Sequence, residues 1–150
     1  MNEIKFYRVQ DEYGCFSNFS PHPIELDGKV WPTSEHYFQA QKFLNDKIQE
    51  EFRREKSPKV AAKMGRDRSK PLRRDWEGVK DEIMLQAIRA KFSQHQGIRE
   101  ILLSTGEATL IEHTKNDSYW ADGGDGSGLN RLGEILMQLR DEFRSMEYEL

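Results

Sequence analysis

The chain has 150 residues, of which 36% are hydrophobic and 33% charged, and it contains one cysteine, Cys15. This length is typical of a single domain, here residues 1–150, and it suffices to bury a core without disulfides or structural metals. One cysteine excludes an internal disulfide, and no apolar run in the sequence is long enough to cross a membrane. We therefore expect a cytoplasmic protein with no membrane partner.

The net charge of −3 is unevenly distributed along the chain. Residues 53–74, which we call the basic block, carry ten basic and two acidic side chains, whereas the rest of the chain has a charge of −11. Such a block is typical of a solvated surface, and it also suits a ligand that carries phosphate. The acidic remainder disfavours binding to a long polynucleotide.

The first third of the chain is predicted to contain short strands. The first is expected over Ile4–Val9. Ile24–Leu26 and Lys29–Trp31 flank Asp27-Gly28, a dipeptide that is typical of a type I′ hairpin turn. Between these strands, Phe16–Phe19 and the prolines that follow predict an aromatic loop.

Helices dominate the rest of the chain. The predicted elements, in chain order, are helices from Ser34, from Asp46 to about Lys56, from Pro58 to Gly65, from Trp76 to about Gln94 and from Ile98 to Thr105, a strand over Ala108–Glu112, and a last helix from Leu129 to about Met146. Expected caps are Thr33, Ser57 and Asp75, and Asp46 with Gln49 resembles a capping pair. We predict a mainly α fold (α+β leaning towards α) of about six helices with a few short strands.

The first helix carries a pair of chemically useful side chains. Helical periodicity places Glu35, Phe38, Gln39 and Lys42 on one side. The opposite side holds the predicted core residues His36, Tyr37, Ala40, Phe43 and Leu44. Glu35 and Lys42 lie about 10 Å apart along the helix axis, so their long side chains can converge on one small molecule. The alternative interpretation is that these polar residues form the outward face of a surface helix, which would show the same spacing.

The segment from Trp120 to Arg131 is rich in glycine, with four glycines among residues 123–128. Glycines let backbone N–H groups approach a ligand, and the helix that follows favours anions at its start. The segment lacks the Walker A lysine and the dinucleotide fingerprint. It therefore predicts either a ligand-contacting loop or a flexible turn.

No metal site is expected, because the four histidines have no metal-ligand spacing and Cys15 has no motif around it. No other cofactor is expected either. Trp76 belongs to the apolar stripe of the fourth helix, whereas Trp120 adjoins the glycine-rich segment, where its ring could stack on a base or a sugar.

Several blocks of the sequence together resemble one known family. The segment Trp31–Phe43, WPTSEHYFQAQKF, resembles the signature of the NADAR family, which is named for NAD and ADP-ribose. Further matching blocks are Phe16–Phe19, Met64–Arg66, Trp76 with Lys80, Glu112–Thr114 and Trp120–Gly133. The resemblance extends from Phe6 to about Leu139 and implies a single, mainly helical domain.

The resemblance also implies an activity. Some members of the family are N-glycosidases that act on early intermediates of riboflavin biosynthesis and release ribose 5-phosphate. This chain would then be an N-glycosidase that cleaves the C1′–N bond of a small-molecule phosphoribosylamino-pyrimidine. Other members remove ADP-ribose from guanine bases, so nucleic acid is a partner only under that alternative. A non-catalytic ADP-ribose-binding module is a third possibility, and no oligomeric state is predicted.

The implied catalytic residues are Glu35, Lys42 and Asp122. Glu35 would be the general acid and base, Lys42 the Schiff-base nucleophile, and Asp122 would orient ribose hydroxyls or water. Lys80 is the rival reactive lysine. Direct hydrolysis, with a carboxylate that stabilises a ribosyl cation, is the other chemical route.

Substrate-binding residues are implied as well. Phosphate and sugar would be held by Arg66, Arg68, Lys70, Asn130 and Arg131, the base would stack on Phe19, Trp76 or Trp120, and Gln39 and Lys80 would complete the binding set.

Overall fold

The computed structural model describes residues 2–149, and in these residues the chain forms six α-helices and four short β-strands. The helices are α1 (Ser34–Ala40), α2 (Asp46–Arg54), α3 (Pro58–Gly65), α4 (Trp76–Gln94), α5 (Gln96–Ser104) and α6 (Arg131–Glu149). The strands are β1 (Glu3–Phe6), β2 (Ile24–Leu26), β3 (Lys29–Trp31) and β4 (Thr109–Glu112). The predicted mainly α fold with a few short strands is confirmed.

The chain divides into two compact units. Residues 18–94 form one, which we call the central unit, and residues up to 17 together with those from 95 onward form the other, the terminal unit. The assignment of residues 1–150 to a single domain stays a prediction. Within the described residues, no helix combines the length and the apolar character that a membrane span needs.

The central unit places α1 at its centre. The hairpin of β2 and β3 turns at Asp27 and Gly28, whose φ angles of 55° and 77° confirm the predicted turn. Every residue of α1 is buried, because β3, α2, α3 and α4 all pack against this helix. The idea of an outward polar face on α1 is therefore wrong, and its polar side chains lie inside the unit.

Helical periodicity also fails beyond Ala40, where α1 ends. A turn follows, in which the Lys42 amide donates to the Gln39 carbonyl at 3.2 Å. Lys42 is consequently buried beyond the end of the helix, while Leu44, expected in the core, is 73% exposed. The 100° rotation per residue no longer applies once the helix has ended.

The helix caps are partly as predicted. Thr33 caps α1 and Ser57 caps α3, each accepting a hydrogen bond from the amide three residues later. The predicted capping pair of α2 is wrong, because Asn45 is the N-cap and accepts from the Ile48 amide at 3.1 Å. The Gln49 side chain instead donates to the Phe43 carbonyl.

The terminal unit contains the only parallel pairing of the described strands, in which Glu3 of β1 lies opposite Thr109 of β4. The strand β1 ends at Phe6 rather than Val9, and α6 begins at Arg131 rather than Leu129. The predicted inward stripe of α6 is buried, at Leu132, Ile135, Leu136, Leu139 and Phe143. α6 packs against β4 and α5, which fixes the loop between β4 and α6.

Candidate active site

A buried carboxylate lies at the start of α1 in the central unit. Glu35 is 7% exposed, and its two oxygens accept hydrogen bonds from the side-chain amides of Asn18, at 2.7 Å, and Gln39, at 3.0 Å. Asn18 is held in turn by the Ser34 hydroxyl, which donates to its side-chain oxygen. Two amide donors, one on each oxygen, fix the orientation of the carboxylate.

Gly65, the last residue of α3, allows Gln39 to take this position. A Cβ at Gly65 would collide with the Gln39 side-chain oxygen, so no larger residue leaves room for the side chain that supports Glu35. That Gln39 oxygen is buried and has no hydrogen-bond partner among the described residues. The amide of Gln39 is therefore fixed by its donor side alone.

A buried amine lies in the same unit. Lys42 is 9% exposed, its Nζ donates to the Gly65 carbonyl at 3.4 Å, and it stands 5.8 Å from the centre of the Trp76 ring. The pKa of Lys42 is lowered from 10.5 to about 8, first by burial and then by the positive charge of Arg68. Glu35 raises the pKa of this amine, so the carboxylate and the amine interact.

The other lysine of the predicted site, Lys80, is differently placed. Its Nζ donates to the Glu77 carboxylate at 2.6 Å, so this amine already has a carboxylate partner on its own helix. Trp76, one turn earlier on α4, is 5% exposed and packs against Phe38 with 5.1 Å between ring centres. Of the two lysines, Lys42 has the surroundings that favour a neutral amine.

The basic block supplies cations near Glu35 and Lys42. Arg66 and Arg68 follow α3, and both act on the Lys42 amine. Lys70 pairs with Glu51 at 2.6 Å. Phe19 is half-buried next to Asn18 in the loop before β2. The central unit thus brings together Glu35, Gln39, Lys42, Arg68, Trp76 and Lys80.

Asp122, which belongs to the terminal unit, has its carboxylate fully engaged. Oδ2 lies 2.7 Å from His113 Nδ1, and Oδ1 accepts from the amides of Thr114 and Gly124. Burial raises the pKa of Asp122, but the hydrogen bonds from His113, Gly124 and Thr114 outweigh it and lower the pKa overall. Asp122 is thus an ionised side chain that orients the imidazole of His113.

The imidazole of His113 faces an open cleft in the terminal unit. This cleft has a volume of about 380 Å³ and is lined by β1, β4 and the loop before α6. His113 and Asp122 both line this cleft, and they contact each other through Nδ1 and Oδ2.

The N–H groups of the glycine-rich loop donate hydrogen bonds to acceptors within the loop itself. Gly123 donates to the Asp117 carbonyl, Gly124 to the Asp122 carboxylate, and Gly126 and Gly128 both donate to the Asp122 carbonyl. These four N–H groups are therefore engaged within the loop, and contact of the loop with a ligand stays a prediction. The glycines serve the loop's own turns, and Gly123, Gly124 and Gly126 have φ between 74° and 88°.

Asn130 has a structural role that the sequence did not indicate. Its side chain donates to the Leu110 carbonyl at 2.9 Å and accepts from the Glu112 amide at 3.0 Å, so it completes the backbone pairing of β4. Its φ of 53° suits asparagine better than most residues. Its predicted role in phosphate binding stays a prediction, but both ends of its amide are occupied.

Replacing Asn130 with alanine is expected to lower the free energy of unfolding by about 2 kcal/mol, because two backbone groups of β4 lose their partners and the positive φ becomes strained. Urea unfolding measures this, with Asn116→Ala as a control at an exposed asparagine. Unchanged stability combined with lost activity would point instead to a role in ligand binding.

The remaining predicted residues of the terminal unit lie near this loop. Arg131 pairs with Glu134 on the first turn of α6, and Trp120 stands edge-on to Tyr119 with 4.9 Å between ring centres. The sequence did not assign roles to Asn18, Gly65 and His113, although each lies in a block that carries the family resemblance. Their contacts, rather than their residue types, show what they do.

Comparisons with known proteins agree on one family. A sequence model of the NADAR domain matches residues 5–144 of the chain. The chain is 63% identical over 139 residues to the N-glycosidase YbiA of Escherichia coli (strain K12), covering 93% of this chain and 87% of that protein. It is 44% identical over 156 residues to the riboflavin biosynthesis protein PYRR, chloroplastic, of Zea mays, covering 94% and 25% of the two chains. The NMR structure of the E. coli protein YbiA matches with a TM-score of 0.92 and 59% identity, over 99% and 89% of the two chains.

Proposed function

The chain belongs to the NADAR domain family, and from this premise we propose that it is an N-glycosidase that hydrolyses the C1′–N bond of phosphoribosylamino-pyrimidine intermediates of riboflavin biosynthesis. Its products are ribose 5-phosphate and the free pyrimidine. The single observation that carries the proposal is the buried pair of Glu35 and Lys42, a fixed carboxylate beside an amine whose pKa is about 8. We place this reaction in the cytoplasm.

The lowered pKa makes Lys42 a competent nucleophile. At neutral pH an amine with a pKa of about 8 is neutral in roughly one molecule in ten, whereas an ordinary lysine is neutral in fewer than about one in a thousand. Only the neutral amine has a lone pair for attack on C1′. The surroundings of Lys42 therefore raise the reactive fraction by more than about a hundredfold.

The substrate's own glycosylamine opens the sugar ring before the lysine reacts. A proton leaves the glycosyl nitrogen and another arrives at O4′, so the C1′–O4′ bond breaks and a C1′=N imine forms. Glu35 suits this transfer, because its carboxylate is held by Asn18 and Gln39 and can accept the first proton and deliver it.

The lysine then exchanges for the pyrimidine. The Lys42 Nζ–C1′ bond forms, and two protons move in turn from Nζ to the pyrimidine nitrogen. The old C1′–N bond then breaks, which releases the aminopyrimidine and leaves a C1′=Nζ Schiff base. Water adds to the Schiff base that remains, and the Nζ–C1′ bond breaks to give open-chain ribose 5-phosphate and the free lysine. One water molecule is consumed, and no atom is oxidised or reduced.

Binding groups surround this pair. Trp76 forms an apolar wall beside the Lys42 amine, and the exposed guanidinium groups of Arg66 and Arg68 offer positive charge to a 5′-phosphate. Lys70 adds charge at the same block, although it is paired with Glu51. The basic block, which carries a charge of +8, thus has a proposed ligand of opposite charge.

A second candidate function is the removal of ADP-ribose from guanine in nucleic acid. The basic block favours it, because a charge of +8 over 22 residues can also attract a phosphate backbone. Direct hydrolysis, with Glu35 stabilising a ribosyl cation, remains the alternative route for either substrate. Binding of ADP-ribose without turnover is the non-enzymatic possibility.

Incubation with both substrates tests the proposal. We expect the purified protein to release ribose 5-phosphate from the phosphoribosylamino-pyrimidine, as followed by HPLC, and to act far more slowly on an oligonucleotide with ADP-ribosylated guanine. The reverse preference would establish the second function. Binding of ADP-ribose with no product from either substrate would show a binding module.

A further inference from the structure

The carbonyl of Gly65 accepts hydrogen bonds from two cationic side chains. Arg68 donates from its guanidinium at 2.7 Å, and Lys42 donates from its amine at 3.4 Å. Gly65 is the last residue of α3, so its carbonyl belongs to the final turn, where no helical partner is available. The oxygen can therefore accept hydrogen bonds from side chains. The negative end of the helix dipole attracts cationic side chains to this position.

Sharing one acceptor brings the two positive charges close together. The guanidinium of arginine does not lose its proton in proteins, whereas the lysine amine can. Repulsion between the two is therefore relieved by deprotonation of Lys42. Arg68 is the largest of the charges that act on this amine.

The other charges around Lys42 come from three elements. Glu35 on α1 favours the charged amine, whereas Arg66, which follows α3, and Lys80 on α4 disfavour it. Arg66 and Lys80 have weaker effects than Arg68, and Lys80 is already paired with Glu77. Arg68 is thus the cation that balances Glu35.

We propose that Arg68 is a positioning residue that holds the Lys42 amine in its neutral, reactive form through their shared contact with the Gly65 carbonyl. This proposal rests on the proposed function, in which Lys42 attacks C1′. It gives Arg68 a task beyond the phosphate binding proposed above. Phosphate binding alone would affect substrate affinity and leave the titration of Lys42 unchanged.

Direct titration of the amine separates these possibilities. In the full-length protein labelled with ¹³C at lysine Cε, the signal of Lys42 is assigned by its loss in Lys42→Arg and followed against pH by NMR. We expect a midpoint near 8 in the unmodified protein. In Arg68→Gln, which keeps a donor for the carbonyl but loses the charge, the midpoint should rise by about one pH unit.

Two further variants complete the experiment. Arg68→Lys keeps the positive charge and should hold the midpoint near that of the unmodified protein. Arg74→Gln removes the same charge from an exposed position of the basic block and should leave the midpoint unchanged. Circular dichroism verifies that each variant is folded.

The outcomes are distinct. A midpoint in Arg68→Gln equal to that of the unmodified protein would overturn the proposal, and an increase in KM with no change in midpoint would assign Arg68 to phosphate binding instead. The titration needs no substrate. A raised midpoint in a protein that forms no Schiff base would therefore support the role of Arg68 and refute the covalent function of Lys42.

Discussion

Replacing Lys42 with methionine should lower kcat on the phosphoribosylamino-pyrimidine by on the order of 10³-fold or more. The proposed reaction passes through a bond between Nζ and C1′, and methionine, although similar in length, has no amine to form it. The fold should tolerate the change, because Lys42 is 9% exposed and a buried cation is replaced by an apolar side chain. Steady-state kinetics measure the loss, and thermal unfolding verifies the fold.

Two other lysines make the result specific. Lys63→Met changes an exposed lysine on α3 and should leave kcat unaltered. Lys80→Met would lose as much activity as Lys42→Met only if Lys80 were the reactive residue. The unmodified enzyme should also show kcat/KM rising with pH through about pH 8, because the amine must be neutral to attack. A profile that is flat over this range would argue against Lys42.

Replacing Glu35 with glutamine should lower kcat by about 10²- to 10⁴-fold, the usual contribution of a positioned acid–base group. The shape of the side chain is kept, but its ability to accept and return a proton is lost. The free energy of unfolding should fall by about 1–3 kcal/mol. Gln39 can rotate its amide and offer its oxygen to the new N–H group, but its own N–H group then lies where that oxygen has no partner now. Kinetics and urea unfolding on the same preparation separate the two effects.

Glu82→Gln is the matched control, since Glu82 is exposed on α4. If Glu35 were only a structural residue, Glu35→Gln would keep its activity as this control does. Glu35→Ala should behave differently from Glu35→Gln. It leaves the amides of Asn18 and Gln39 without an acceptor, and each such buried donor costs about 1–3 kcal/mol.

Much of the fold could be predicted from the sequence because its signals are local. The turn at Asp27 and Gly28, the caps Thr33 and Ser57, and the stripe of α6 each depend on residues close together in the chain. The burial of α1 on every side could not be predicted in this way. It results from the packing of β3, α2, α3 and α4, which periodicity within one helix does not reveal.

The candidate site likewise has parts that the sequence predicted and parts that it did not. Glu35 and Lys42 could be selected because a known signature carries them. Lys42, however, lies beyond the end of α1 and not on the predicted face of that helix. The supporting contacts of Asn18 and Gly65 depend on segments 17 and 23 residues away in sequence. For the glycine-rich loop, composition predicted either contact with a ligand or a flexible turn. It could not show that the glycine N–H groups donate to Asp117 and Asp122.

Reductive trapping tests the central claim, that Lys42 becomes bonded to the ribose during turnover. The enzyme is mixed with the phosphoribosylamino-pyrimidine and sodium borohydride, digested, and mapped by mass spectrometry. We predict one phosphoribityl group on Lys42, formed only in the presence of substrate and absent from Lys42→Met. Rapid release of ribose 5-phosphate with no adduct, or with the adduct on Lys80, would contradict the account.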